Sequence, residues 1–174
     1  MKGILIIPVG KVDKDIMGIL SDALSKAFHQ KVRTGEEMPL LPQSYNARRR
    51  QYHATAILMA LRGEKRRERE LILGLTGVDL YVPELNFVFG EADVLSGTTI
   101  ISLARLRQEF YGLPPDRRLF HERAVKEGIH EIGHACGLDH CSSPDCIMYF
   151  SNSIRDTDRK GPGFCGTCRE TLGI

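Results

Sequence analysis

The chain has 174 residues, which is enough for one domain with a sizeable core and too few for two. Hydrophobic residues make up 42% of it and charged residues 26%, proportions that exclude a fibrous or largely disordered protein. The 24 basic residues nearly balance the 22 acidic ones, so the net charge of +2 gives no reason to expect a nucleic-acid partner. We therefore expect a single domain over residues 1–174.

The N-terminal sequence MKGILIIPVG contains a short apolar run that ends at Pro8. This run is too short for the core of a signal peptide or for a membrane span. It predicts a buried strand in a cytoplasmic protein that has no membrane partner.

Helical and extended patterns alternate along the first half of the chain. Apolar residues recur at helical spacing between Asp13 and Phe28, and again between Asn46 and Leu61, so each segment is predicted to be a helix with one buried face. The charged run GEKRRERE then predicts a solvated helix end, and ELILGLTGVDL predicts a strand. Such alternation favours an α/β fold, with a mixed, mostly parallel sheet packed by helices.

The second half of the chain supplies the edge of this sheet and a long helix. The segment 87–89 is short and aromatic and lies between Pro83 and Gly90, a pattern typical of an edge strand, which we expect to be antiparallel. The run GTTIISLARL predicts a central strand. From Asp116 the apolar positions follow a helical pattern up to Gly137.

The stretch IHEIGHACGLDHC lies at the end of that long helix. His130 and His134 are four residues apart, so their rings lie on one helix face about one turn apart and can reach a single cation. Glu131 is turned by roughly 100° around the axis and can flank the cation without binding it. A positive φ at Gly137 can reverse the chain and bring His140 toward the other two rings.

Three neutral imidazoles leave a zinc ion with one open position, where the pKa of a bound water falls toward about 7. Glu131 is then the predicted general base, which accepts a proton from this water as the water attacks a peptide carbonyl. The alternative, unrelated polar residues on a solvated helix, requires several independent coincidences of residue type and spacing.

His130, Glu131, His134, Gly137 and His140 resemble the long zinc signature of the metzincin metallopeptidases. The residues that follow narrow this resemblance. They have the order C-x4-C-x-M-x16-C-x2-C, which resembles the archaemetzincin branch, and they are Cys141, Cys146, Met148, Cys165 and Cys168.

The resemblance implies an α+β metzincin-like fold and a peptide or protein substrate. It implies two zinc ions, a catalytic one on the three histidines and a structural one on the four cysteines. It also places Met148 in a Met-turn beneath the histidines and pairs the edge strand near residues 87–89 with an extended substrate. The expected parts are an N-terminal subdomain (1–137) with the sheet and active-site helix, and a zinc-stapled C-terminal subdomain (138–174).

Two features of secreted or tyrosine-liganded metzincins are not expected here. Phe150 occupies the position two residues after the methionine, where a tyrosine ligand would lie. An inhibitory pro-segment is not expected, because the chain begins directly with its first predicted strand.

The cysteine spacing gives support of its own for the second zinc. Cys165 and Cys168 form a C-x2-C pair whose thiolates can approach one cation from a tight loop, and Cys141 and Cys146 supply the other half. Such a closed site contributes folding free energy. Free or disulfide-linked thiols are the alternative, which a reducing cytoplasm disfavours. Cys136 is left over and is expected to be a small buried side chain.

The main alternative function is a non-catalytic binding or scaffold protein in which both zinc ions are structural. Glu131 discriminates between the two functions, because a structural three-histidine site has no use for a carboxylate at that position. The basic run ARRRQYH lies on a predicted amphipathic helix and is not expected to bind nucleic acid.

Overall fold

The computed structural model describes residues 3–64 and 70–174. In chain order its elements are β1 (Ile4–Val9), α1 (Lys14–Phe28), β2 (Val32–Thr34), β3 (Tyr45–Asn46), β4 (Gln51–His53), α2 (Ala54–Gly63), β5 (Leu71–Thr76), β6 (Leu80–Tyr81), β7 (Gly90–Asp93), β8 (Thr98–Ser102), α3 (Arg117–Ala135), α4 (Ile154–Arg159) and α5 (Gly166–Leu172). The solvated helix end predicted for GEKRRERE lies mostly at 65–69, outside the described residues.

The main sheet has five strands in the order β2-β1-β5-β8-β7. All neighbours in it are parallel except β7, which runs antiparallel to β8 at the edge. A small second sheet has the order β3-β4-β6. The predicted fold class, a mixed and mostly parallel sheet with an antiparallel edge strand, is therefore confirmed.

Both faces of the main sheet are buried, because successive residues of a strand point to opposite sides. Ile4 and Ile6 of β1 pack into the core that also contains the apolar faces of α1 and α3, whereas Leu5 and Ile7 pack into the core beneath α2. Burial on both faces explains why the sequence of β1 is a continuous apolar run. The sheet is thus the rigid layer from which α3 is positioned.

Helices α1 and α3 begin where their capping residues predict. Asp13 accepts a hydrogen bond from the backbone N–H of Asp15 at 3.0 Å, and Asp116 accepts one from that of Leu119 at 2.9 Å. Helix α3 ends at Ala135. In both cases the predicted helix is confirmed, with its capping aspartate just outside the first turn.

The helix predicted from Asn46 to Leu61 is wrong in its first half, because α2 begins only at Ala54. Residues 45–53 instead form β3 and β4, joined by a turn in which Arg50 has a φ of 57°. The rings of Tyr45 and Tyr52 stack across this pair with centroids 4.9 Å apart. Cross-strand pairing of this kind outweighs a local helical pattern.

The edge strand also lies later than predicted, since β7 begins at Gly90 and the segment 87–89 precedes it. Phe89 is buried in the core, and the ring of Phe87 meets it edge-on at 5.1 Å. Gly90 does not follow the edge strand but is its first residue, at a place where another side chain leaves no room for a Cβ.

Residues 138–174 pack beneath α3 and contain α4 and α5. Arg123 holds α4 against α3 through two hydrogen bonds to the carboxylate of Asp158, at 2.6 and 2.7 Å. Lys126 adds hydrogen bonds to the backbone carbonyls of Thr157 and Asp158. Over the described ranges 3–64 and 70–174, no helix is both long and apolar enough to cross a membrane.

Candidate active site

The three histidines of the sequence motif converge at the end of α3. His130 and His134 project from one face of the helix, and the chain reverses at Gly137, where φ is +95°, to bring His140 beside them. The ring centroids are 4.6 Å apart for His130 and His134, 4.7 Å for His134 and His140, and 5.3 Å for His130 and His140. Their nearest ring nitrogens lie within 4.8 Å of one another, close enough for one metal ion.

The hydrogen bonds of two histidines determine which nitrogen is available to a metal. Nδ1 of His130 lies 2.9 Å from the carbonyl oxygen of Ile147, and Nδ1 of His134 lies 2.7 Å from that of Leu138. A carbonyl oxygen can only accept, so each Nδ1 carries the hydrogen and each Nε2 keeps a lone pair.

These two Nε2 atoms are only 3.0 Å apart, with no hydrogen between them. Two lone pairs at that distance repel each other unless they share a cation. A tetrahedral zinc holds its nitrogen ligands about 3.3 Å apart. The donor set of His130, His134 and His140 therefore fits zinc in both chemistry and spacing.

Burial keeps the histidines in the neutral form that metal binding needs. Burial, together with the nearby Lys160 ammonium, lowers the pKa of His130 to about 2. Burial also lowers the pKa values of His134 and His140. All three rings are therefore neutral at physiological pH without any competing protonation.

Glu131 lies next to the three rings, between α3 and the edge strand. Its side chain is buried. Burial and, to a smaller extent, the Glu127 carboxylate raise its pKa to about 8, although Lys160 acts in the opposite direction. A Cβ built on Gly90 would lie 2.6 Å from Glu131 Oε1. A carboxyl with a raised pKa has the proton affinity of a general base, and a nearby dication would lower that pKa again.

A buried ion pair that the sequence did not indicate lies beneath the site. Lys160 is fully buried, and its Nζ is 2.8 Å from Glu127 Oε1, which also accepts a hydrogen bond from Thr157 at 3.1 Å. Glu127 precedes Glu131 by one helical turn, and this spacing is the only feature of the sequence that places Glu127 near the site. Nothing local indicated Lys160, because it comes from the segment after α4.

A cleft of about 590 Å³ opens above the histidines. One wall comprises residues 85–92 and Val94, which include the edge strand, and the opposite wall comprises residues 150–152. Glu127, Glu131 and the three histidines line its base. An apolar and partly acidic groove therefore lies directly over the three histidine rings.

Met148 and Phe150 support the histidines from below and from the side. Met148 is fully buried, and a Cβ on Gly133, between the two helical histidines, would lie 2.5 Å from its Sδ. Phe150 packs its ring against that of His140 with centroids 4.8 Å apart. A phenyl ring has no ligand atom, so its contribution is limited to packing.

Four sulfur atoms converge in the C-terminal part, and their Sγ atoms all lie within 4.8 Å of one another. Cys141 and Cys165 are separated by 3.8 Å and Cys146 and Cys168 by 3.7 Å. A disulfide would require about 2.05 Å, whereas a tetrahedral zinc separates its thiolates by about 3.8 Å. The spacing fits a zinc ion and excludes disulfides in this arrangement.

The surroundings of the sulfur atoms differ. The backbone N–H of Cys168 lowers the pKa of Cys165 to about 7, while burial raises that of Cys168.

The N–H of Cys141 donates to the carbonyl of Met148 at 2.9 Å, which links the sulfur site to the floor of the histidine site. Cys136 is half-buried against the core and lies outside the four-sulfur group.

Comparisons with known proteins agree with this geometry. The sequence profile of peptidase family M54 matches residues 30–173. The archaemetzincin of Pyrococcus furiosus is 43% identical over 176 residues, covering 97% of this chain and 91% of that protein. The crystal structure of a zinc-dependent peptidase from Methanocorpusculum labreanum has a TM-score of 0.90 at 35% identity, covering 98% and 100% of the two chains.

A second solved structure, the archaemetzincin of Archaeoglobus fulgidus complexed with malonate, has a TM-score of 0.82 at 38% identity. It covers 97% of this chain and 99% of that one. Family profile, full-length relatives and fold therefore agree, and the chain belongs to peptidase family M54, the archaemetzincin branch of the zinc metallopeptidases.

Proposed function

We propose that the chain hydrolyses peptide bonds at a zinc ion held by His130, His134 and His140, with Glu131 as the general base. The observation that carries this assignment is the 3.0 Å separation of two Nε2 atoms whose Nδ1 atoms both donate to backbone carbonyls. That arrangement satisfies each histidine only when a cation lies between the two nitrogens.

Zinc, when bound, would polarise the substrate carbonyl and make a coordinated water more acidic. Glu131 accepts the proton of the attacking water and passes it to the leaving amine. Gly90 lies against its side chain, and burial limits its contact with bulk water. Because burial raises its proton affinity, it is suited to both transfers.

An extended substrate has a place to bind beside this machinery. Within the described residues, β7 pairs only with β8, so the backbone N–H and C=O groups of its other edge face the cleft. We propose that a peptide adds to this edge as a further strand and lies across α3. Main-chain hydrogen bonds would then align the scissile carbonyl above the histidines.

We further propose a second, structural zinc on Cys141, Cys146, Cys165 and Cys168, making two per chain. This site would tie residues 138–174 to the subdomain formed by residues 1–137 within a single domain, with the cleft between the two. Four thiolates persist as ligands where thiols remain reduced, which supports a cytoplasmic location.

Replacing Glu131 by glutamine tests the assignment of the general base. Glutamine keeps the size of the side chain but cannot accept the proton, so we expect peptide hydrolysis to fall by at least about a hundredfold with the zinc content unchanged. Glu122→Gln, on the exposed part of the same helix, is the matched control and should keep full activity. Full activity of Glu131→Gln, or loss of its zinc, would contradict the proposal.

A further inference from the structure

We infer that Glu91 selects substrates that carry a lysine or an arginine at one position. This position is next to the substrate residue that lies above Glu131. The inference rests on the proposed addition of the peptide to β7 and names the substrate class of the same cleft. Glu91 would act as a specificity residue, without a part in the chemistry.

The sheet register places Gly90 and Glu91 on opposite faces. Gly90 is paired with Ile101, which belongs to the core shared with α3, whereas Glu91 is paired with Ile100, which belongs to the core beneath α2. Gly90 accordingly faces Glu131, and Glu91 receives a hydrogen bond from Thr55 of α2.

A peptide strand beside β7 alternates in the same way. When one of its residues faces α3 and Glu131, the next residue directs its side chain to the α2 face. Side chains on one face of neighbouring strands have Cβ atoms about 4.5–5.5 Å apart. That substrate side chain therefore lies beside the carboxylate of Glu91.

The carboxylate of Glu91 is held in place and has capacity for a cation. Thr55 Oγ1 lies 2.8 and 3.1 Å from its two oxygens, so one hydroxyl fixes the side chain. No lysine or arginine in the described part of the chain forms an ion pair with it. Glu84 and Asp93 add negative charge nearby. A half-buried carboxylate in this setting gains from a charge-assisted hydrogen bond.

The other carboxylates that line the cleft are already engaged. Glu127 is paired with Lys160, and Glu131 is assigned to catalysis. Asp93 shares the face of Glu91 but accepts hydrogen bonds from Leu95 N–H and Ser96 Oγ and does not line the cleft. Glu91 is thus the acidic group that lines the cleft on the α2 side of the sheet.

The test measures peptide binding to the zinc-loaded Glu131→Gln protein, which does not require turnover. A single lysine is moved through an extended apolar peptide and compared at each position with glutamine, in N-acetylated and free-amine versions. We expect one position where lysine tightens binding about tenfold over glutamine. Adding Glu91→Gln should abolish this preference, and adding Asp93→Asn should leave it intact.

A lysine preference at no position, or one that survives Glu91→Gln, would overturn the inference. A gain that follows the free amino terminus and disappears on N-acetylation would also overturn it, because the recognised cation would then be the terminal ammonium. A separate measurement tests the proposed function, which fails if the unaltered enzyme does not hydrolyse peptides. That outcome would not change these binding results.

Discussion

Gly90 of the edge strand and Glu131 of the active-site helix are in direct contact across the base of the cleft. A Cβ at position 90 would lie within 2.7 Å of three atoms of the Glu131 side chain. Glu131 is buried except where it lines the cleft, so a Cβ at position 90 would displace its carboxylate. The glycine therefore helps to position the proposed general base from a strand that is distant in sequence.

The substitution Gly90→Ala should lower kcat/KM for peptide hydrolysis by about a hundredfold, because a displacement of about 1 Å at a catalytic group has an effect of that size. Zinc content should stay unchanged, since the histidines are untouched. Gly18→Ala in α1 is the control, as a Cβ there meets nothing within 4 Å. Unchanged kinetics for Gly90→Ala would show that Glu131 tolerates a different position.

Removing Lys160 should destabilise the fold. The substitution Lys160→Met leaves the buried Glu127 without its cation and close to Glu131, which we expect to lower the free energy of unfolding by about 3–5 kcal/mol. Adding Glu127→Gln should recover much of this loss. Urea unfolding measures both variants, and Arg118→Met, from an exposed pair, should change stability by less than about 1 kcal/mol. A similarly small effect of Lys160→Met would contradict the pairing.

The four-sulfur site predicts a metal-dependent contribution to stability. Cys168→Ser should reduce bound zinc by one equivalent and lower the melting temperature, because a closed zinc site contributes folding free energy. Cys136→Ala should leave the zinc content unchanged, since Cys136 lies outside the group. Elemental analysis and thermal unfolding provide the two readouts. Equal zinc content in Cys168→Ser and the parent protein would exclude Cys168 as a ligand.

The raised pKa of Glu131 has a consequence for the pH dependence of stability. In the metal-free protein burial raises this pKa from 4.5 to about 8, so the folded chain binds the proton more tightly than the unfolded chain. The contribution of Glu131 to the free energy of unfolding is complete below about pH 4.5 and is lost as the pH rises toward 8. Glutamine does not titrate. Between pH 4.5 and 8 the free energy of unfolding of Glu131→Gln should therefore increase relative to that of the parent protein by about 1.4 kcal/mol per pH unit.

Urea unfolding of the two metal-free proteins at several pH values measures this difference, and contributions from other groups cancel in the comparison. Chelation must precede the measurement, because a bound dication lowers the pKa of Glu131. A difference in unfolding free energy that does not change with pH would contradict the burial of an ionisable Glu131.

The prediction of the ligand sets from the sequence depended on local geometry. His130 and His134 lie together because α-helical residues four apart share a face, and Cys165 and Cys168 lie together because a short loop joins them. The helical spacing of apolar residues from Asp13 and from Asp116 predicted two helices for the same reason. Each of these patterns is read within a few residues, where backbone geometry alone determines distance.

The sequence by itself determined the mixed α/β fold and brought together three histidines, a glutamate and four cysteines as candidate ligands and base. Only the tertiary structure decided that β7 begins at Gly90, that Lys160 compensates Glu127, and that Glu91 lies on the sheet face opposite the one that meets Glu131. These relationships join residues far apart in the chain. They depend on the register of the strands and on which buried charges come into contact. The packing of the whole domain determines both, so neither can be predicted from a local sequence pattern.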